Sequence, residues 1–250
     1  MNIIIKNKTE DYQDEYIKIQ NNNITFLKSN EYTITVNTNN KNLHLELIDN
    51  VNVKLFIISK NNSINIKYTY TLNKNSKLKL FKFYFNDTIK EEEIVNLNGE
   101  LSNFSSNFSS IAKNNEDYHI VVNHNNKNTN SYISNKCICC NNSNMNITID
   151  SVLSKGNTNC IIDQTTKVLT LGDANTKIEP NMFIDEDTVI AKHGSSIGTF
   201  SYDDIFYLMS RGIDNEVAID LLLKGFIFSN LELDIDTRAF VYECIKSIRR

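Results

Sequence analysis

The chain has 250 residues, 40% of them hydrophobic, with 26 Lys and Arg against 30 Asp and Glu and a formal net charge of -4. That is enough apolar material for a sizeable core in one large or two smaller domains, and it excludes wholesale disorder. The mild acidity removes the electrostatic case for sequence-independent nucleic-acid binding, and no run approaches the roughly 18 apolar residues of a membrane span. Met1 to Ile5 is short and is followed by Lys6, Asn7 and Lys8, so no secretory signal is expected and the protein is expected to be cytoplasmic. Five cysteines, three of them in Cys137-Ile-Cys-Cys140, fit free thiols better than a disulfide framework.

Asparagine is far commoner than in ordinary globular chains, while Pro appears once and Trp not at all. One reading is a coding bias that favours Asn, Lys, Ile, Tyr and Phe together. The other is that asparagines stack in ladders at turns.

Residues 1 to about 30 are polar and weakly patterned and are assigned to a short N-terminal segment. From Tyr32 an apolar alternation sets in through Ile34 and Val36. It continues in Leu43, Leu45 and Leu47, in Val51, Val53, Leu55 and Ile57, and in Ile64, Ile66, Tyr68, Tyr70 and Leu72. A period of two means strands with one face buried. Asn-rich separators such as 37–42 and 60–63 suit turns, because asparagine tolerates left-handed backbone. Further strands are expected over 78–85, 118–122, 136–140, 145–149, 159–162 and 168–171, and Ile190 to Gly198 reads as the last turn of the β-core. No helical crossovers separate them, which disfavours a doubly wound α/β sheet. A sandwich, a barrel and a parallel β-solenoid all remain open on pattern alone.

At Ser201 the period changes. Ser201 caps a short helix that carries Ile205, Leu208 and Met209 and closes at Gly212. Asp214 caps a second, with Val217, Ala218, Leu221, Leu222, Gly225 and Phe226 as its apolar stripe. A third is expected from about Asp236 to Ile248, with Val241, Cys244, Ile245 and Ile248 on one side and Arg249 and Arg250 at its favourable end. The domain expectation is therefore 1–30, a β-core over 31–200 and a helical subdomain over 201–250.

Chemistry is sparse. Cys137 and Cys139 are soft donors for iron or sulfur, but on a strand they point away from Cys140, and a second Cys-x-x-Cys is missing. Ser195 or Ser196 beside His193 lacks the Gly-x-Ser-x-Gly elbow of a hydrolase, and no Gly-x-x-x-x-Gly-Lys loop supports ATP binding. His193 can ligate a metal or hold a thiol by hydrogen bonding. Phe206, Tyr207, Arg211 and Gly212 can form a docking surface; the plainer alternative is that the two aromatics seat the helix on the β-core.

The run Ile178-Glu-Pro-Asn-Met-Phe-Ile-Asp-Glu-Asp-Thr-Val-Ile-Ala-Lys-His-Gly-Ser-Ser-Ile-Gly198, with Asp204-Ile-Phe-Tyr-Leu-Met-Ser-Arg-Gly-Ile213 and Leu221-Leu-Leu-Lys-Gly-Phe226, resembles the C-terminal core signature of the SufB/SufD family of iron–sulfur cluster assembly proteins. The likeness runs over residues 163 to 227. It is closer to SufD, because Gly194 stands where a SufB tends to carry glutamate and Gln164-Thr-Thr166 stands where a SufB cysteine is expected. The resemblance implies a right-handed parallel β-helix core with a C-terminal helical subdomain. It also implies a non-catalytic scaffold that pairs with a SufB-like subunit, or with itself, and docks the SufC ATPase through Phe206, Tyr207, Arg211 and Gly212. His193 would then lie at the subunit seam where a transient iron–sulfur cluster forms, with no cofactor held by this chain alone and no flavin motif. A β-solenoid with a structural or ligand-binding role is the reading from a different class.

Overall fold

The computed structural model describes residues 2–5, 11–36, 41–60 and 63–248. The expected turns at 37–42 and 60–63 lie partly outside the described residues, and the Arg249–Arg250 pair lies wholly outside them. Within them the chain forms β1 (Asn2–Ile5), β2 (Tyr12–Gln13), β3 (Ile17–Gln20), β4 (Asn23–Phe26), β5 (Asn30–Val36), β6 (Lys41–Leu47), β7 (Asn52–Lys60), β8 (Ile64–Leu72) and β9 (Lys77–Phe85). It continues as β10 (Ile89–Leu97), β11 (Asn103–Ala112), β12 (Asn115–His124), β13 (Asn130–Cys139), β14 (Asn144–Leu153), β15 (Cys160–Thr170), β16 (Asn175–Ile184) and β17 (Val189–Gly198). Three helices follow, α1 (Tyr202–Ser210), α2 (Asn215–Phe228) and α3 (Ile235–Ser247).

The strands alternate between two sheets. Odd-numbered strands from β5 stack in parallel in one sheet, with β1 at its edge, and even-numbered strands from β4 stack in the other, which ends in the antiparallel β3 and β2. This is the parallel β-solenoid, and strands are already present at Asn2–Ile5 and from Tyr12, within the weakly patterned N-terminal stretch. Equivalent residues in successive coils lie 21 to 31 positions apart. Inward residues of both sheets merge into one lumen of isoleucine, leucine, tyrosine and phenylalanine side chains.

Asparagine supplies the corners. Asn21, Asn50, Asn75, Asn128, Asn142 and Asn159 all have positive φ, a conformation that costs other L-residues about 1–2 kcal/mol. Between coils asparagine amides at and beside these corners form rungs: Asn75 Nδ2 donates to Asn50 Oδ1 at 2.9 Å, Asn125 to Asn98 at 2.8 Å and Asn144 to Asn115 at 2.8 Å. The ladder reading of the asparagine excess therefore describes the turns. Leu101, at φ 64°, occupies the same kind of corner with its side chain exposed. Leu101→Asn is expected to raise unfolding stability by about 1 kcal/mol, since it relieves the left-handed strain and loses little burial. Urea unfolding read by circular dichroism checks this.

Several expectations need correction. The strands β10 and β11 have no counterpart among the expected segments, and those expected at 159–162 and 168–171 are one strand, β15. The inward positions of β10 include Glu91 and Glu93, and those of β11 include Ser106 and Ser110, so the apolar alternation is masked where the fold is most regular. In β15 the inward Gln164 and Thr166 have the same effect. The caps of α1 and α2 are Ser201 and Asp214 as read from sequence, but Asp234 caps α3.

The helices fold back on the outer face of the first sheet. Phe56, Phe81, Phe83, Ile111 and Ile138 meet Leu223, Ile227, Leu231, Val241, Cys244 and Ile245 there. The buried face of α2 is Ala218, Leu223 and Ile227, whereas Val217 and Leu221 of the expected stripe face outward. Asn230 fastens the end of α2 to the sheet, donating to Phe108 O at 2.8 Å and Ser134 O at 3.0 Å and accepting from Ser134 Oγ at 2.7 Å.

Candidate functional site

The solenoid ends without a lid. Strands β16 and β17 are the last in their sheets, and each leaves one edge unpaired, which is the kind of surface that accepts another strand. Pro180, the chain's one proline, lies in β16. An edge strand tolerates it because no ladder hydrogen bond is needed on the open side. Phe183 is 58% exposed and Ile190 64% exposed, with Ile197 also open. An uncovered coil with large apolar side chains marks an interaction surface.

His193 lies in β17, on this edge. It pairs in register with Gln164 of β15, so it shares the inward-facing rank although no strand among the described residues lies above it. Beneath it Gln164 is buried and donates to Ser151 Oγ at 2.7 Å and Asn181 O at 3.3 Å. On the outward side Lys192 pairs with Asp163 at 2.9 Å. Gly194 has open space where a side chain would project.

Three residues separate β17 from α1. This helix has no buried residue. Phe206 is 55% and Tyr207 58% exposed, so neither seats the helix on the β-core. Arg211 lies over the Tyr207 ring at 5.2 Å, and Tyr202 stacks with Phe206 at 5.9 Å. Gly212 has φ +82° and its N–H bonds Met209 O at 2.9 Å, which closes the helix in a left-handed turn. The four docking candidates thus lie together on α1 and its C-terminal turn.

The cysteines lie elsewhere. Cys137 and Cys139 face the lumen, and Cys140 packs beneath the helices, as strand alternation requires. Burial pushes the Cys137 and Cys140 thiols up to about 12. All five cysteines are free, and no group of three His, Cys, Asp or Glu side chains among the described residues is placed to hold a metal ion.

The lumen carries polar groups that periodicity does not reveal. Lys82, Glu91 and Glu93 form a fully buried ion cluster. Glu116 accepts from Ser110 Oγ at 2.7 Å and Tyr118 OH at 2.9 Å. His124 is bonded through Nδ1 to Thr129 Oγ1 at 2.8 Å and through Nε2 to Ser131 Oγ at 2.9 Å. The only sequence signal for the first group is the triple Glu91-Glu-Glu93, in which alternate residues must face the same side.

Burial raises Glu116 from 4.5 to about 7, against the hydrogen bonds from Ser110 and Tyr118. Its contribution to stability is therefore complete below pH 4.5 and lost as pH rises through 7, a change of roughly 3 kcal/mol. His124 runs the other way: burial lowers it from 6.5 to about 4, so its share is present above pH 6.5 and lost as pH falls through 4. Relative to Glu116→Gln, the natural chain is expected to lose about 3 kcal/mol of unfolding free energy between pH 4.5 and 8. Denaturant titrations at the two pH values measure it.

The class the fold defines is a two-sheet parallel β-solenoid with an uncovered last coil, followed by three helices of which the first has no buried residue. The match to the SUF system FeS cluster assembly, SufBD core domain spans residues 13–226, and the chain belongs to that family. The region of likeness read from sequence, 163 to 227, is the C-terminal part of it. The chain is 43% identical over 70 residues to the iron–sulfur cluster assembly protein SufD of Bacillus subtilis, 26% of this chain and 15% of that one. It is 46% identical over 48 residues to an iron–sulfur cluster assembly SufBD family protein of Mycobacterium leprae, 19% of this chain and 12% of that one. The matched stretches thus cover only a small part of those relatives. No described helix is long and apolar enough to cross a membrane.

Proposed function

We propose that the chain is a SufD-like, non-catalytic scaffold subunit of the SUF iron–sulfur cluster assembly complex. Its open β16/β17 end pairs with a SufB-like subunit, and α1 receives a SufC-like ATPase. The observation that carries this reading is the nearness of two uncovered apolar surfaces, a solenoid end and a helix with no buried residue, joined by only three residues. The cluster is cargo formed at the seam beside His193, not a group resident in this chain. A neutral imidazole there can accept a hydrogen bond from a thiol or ligate iron, while Gly194 leaves the space beside it open.

The test is anaerobic co-purification of this chain with tagged SufB-like and SufC-like proteins from the same cell. Recovery of all three together is expected, with Phe206→Ala combined with Tyr207→Ala releasing the ATPase while leaving the SufB-like partner bound. Failure of the natural chain to associate with either protein overturns the proposal. His193→Ala should keep the complex and lower cluster yield; an unchanged yield would reduce His193 to a structural role.

A further inference from the structure

Neither uncovered surface involves the ion cluster in the lumen. Lys82 Nζ lies 2.5 Å from Glu91 Oε1 and also bonds Glu93 Oε2, and all three side chains are completely buried. Glu91 Oε2 accepts from the Tyr84 hydroxyl at 2.6 Å. The Phe108 ring lies 5.1 Å from Nζ and packs edge-on against Tyr84 at 5.8 Å. Both backbone positions are fixed by ladders: Lys82 is paired with Ile57 and Phe108, and Glu91 with Ile66 and Tyr118. Among the described residues Glu93 Oε1 has no hydrogen-bond partner although it is buried.

An amine held against a carboxyl, a hydroxyl on that carboxyl's other oxygen and a second carboxyl on the amine are the parts of an amide condensation. We propose that Lys82 and Glu91 become joined by a side-chain amide bond that the folded chain makes itself, with Tyr84 and Glu93 as its catalytic groups.

The step balances without oxidant or reductant. A proton first passes from the Lys82 ammonium to Glu91 Oε1, which leaves a neutral amine and a neutral acid beside ionised Glu93. The nitrogen lone pair attacks Cδ of Glu91, and the carbonyl electron pair moves to Oε2, where the Tyr84 O–H stabilises it. Glu93 takes a proton from Nζ and returns it to Oε1. The Cδ–Oε1 bond breaks, water leaves, and the carbonyl re-forms at Oε2. The products are a neutral amide, one water and Glu93 as it began.

Two features favour the reaction here over the same pair in water. The amine and the carboxyl are already in hydrogen-bond contact, so little orientational entropy remains to be lost. The product also removes the charges of Lys82 and Glu91, which a dry lumen holds at considerable cost, and Glu93, left without its cation, then takes up a proton. Burial raises the Glu93 carboxyl, opposed by Lys82, which suits a group that takes and returns a proton. Burial also disfavours the Lys82 ammonium, but the two carboxylates together outweigh it and raise the amine. The resting pair is therefore ionic, and the first proton transfer is the uphill step.

Intact-mass measurement on the purified, denatured chain tests the bond. The expected mass is below that of the sequence by one water. Trypsin should leave residues 80–90 attached to 91–113, because Lys82 is no longer a cleavage site and the amide spans the cut after Lys90. Folded Glu93→Gln should show the full sequence mass, and Tyr84→Phe should lose water more slowly after refolding. A natural chain that is folded by circular dichroism yet carries its full mass overturns the proposal, and that result requires no variant to fold. The readout is independent of any partner, so failure here and failure of the scaffold reading are separate results.

Discussion

Replacing Lys82 with methionine is expected to destabilise the solenoid by about 3–5 kcal/mol. The substitution keeps much of the apolar stem and removes the nitrogen that lies between Glu91 and Glu93 in a site with no exposure, whether it is an ammonium or the proposed amide. Glu91 and Glu93 would then share a buried site with no cation, and where the natural chain holds the amide the substitution also restores Glu91 as a free carboxyl beside Glu93. The site can relieve this only by taking up protons or by opening the lumen to water, and both routes weaken the folded state at neutral pH. Urea unfolding followed by circular dichroism measures the loss. Adding Glu91→Gln and Glu93→Leu to Lys82→Met should recover most of it, because the charges are removed together and the new side-chain amide oxygen can still accept from Tyr84. A small effect of Lys82→Met alone would mean that water reaches the cluster.

Gly99→Ala is expected to be at least as damaging, through backbone instead of charge. An added Cβ would lie 2.0 Å from Lys74 N and 2.2 Å from Asn73 C, and neither atom can move without shifting the turn of the preceding coil. Gly99 N also donates to Leu72 O at 3.0 Å, so the two turns are locked at their closest approach. A cost of about 4 kcal/mol or more is expected, in the range reserved for a named steric failure, with loss of soluble protein the first sign. Gly194→Ala and Gly198→Ala are the matched controls. Both positions face open space, and both variants should unfold within about 0.5 kcal/mol of the natural chain.

The two cases explain what can be read from sequence and what cannot. Strands such as β6 and β8 are legible because Leu43, Leu45 and Leu47, or Tyr68, Tyr70 and Leu72, alternate inward as an apolar run. The same rule hides β10 and β11, where ions and hydroxyls occupy inward positions and bond across the lumen. Pairing between strands some 25 residues apart makes Glu91 a core residue, and no local pattern reports a partner on another strand. Helix starts at Ser201 and Asp214 are legible because a cap is a local hydrogen bond. That α1 remains uncovered is not, since exposure depends on where the whole subdomain settles. His193 stands out by likeness; its place on the open coil comes from the count of coils.

The uncovered end also sets an order of events. In a stack where each coil is held mainly by its two neighbours, the terminal coil has one coupling fewer. Among the described residues strand β17 has β15 on one side and no strand on the other, so at this end of the stack it is the rung that should let go first. With only Thr199, Phe200 and Ser201 between it and α1, fraying there would also slacken the helix. Anything that docked on that end would serve as the absent next rung, and the chain's lifetime against proteases would then rise with the amount of partner in the cell.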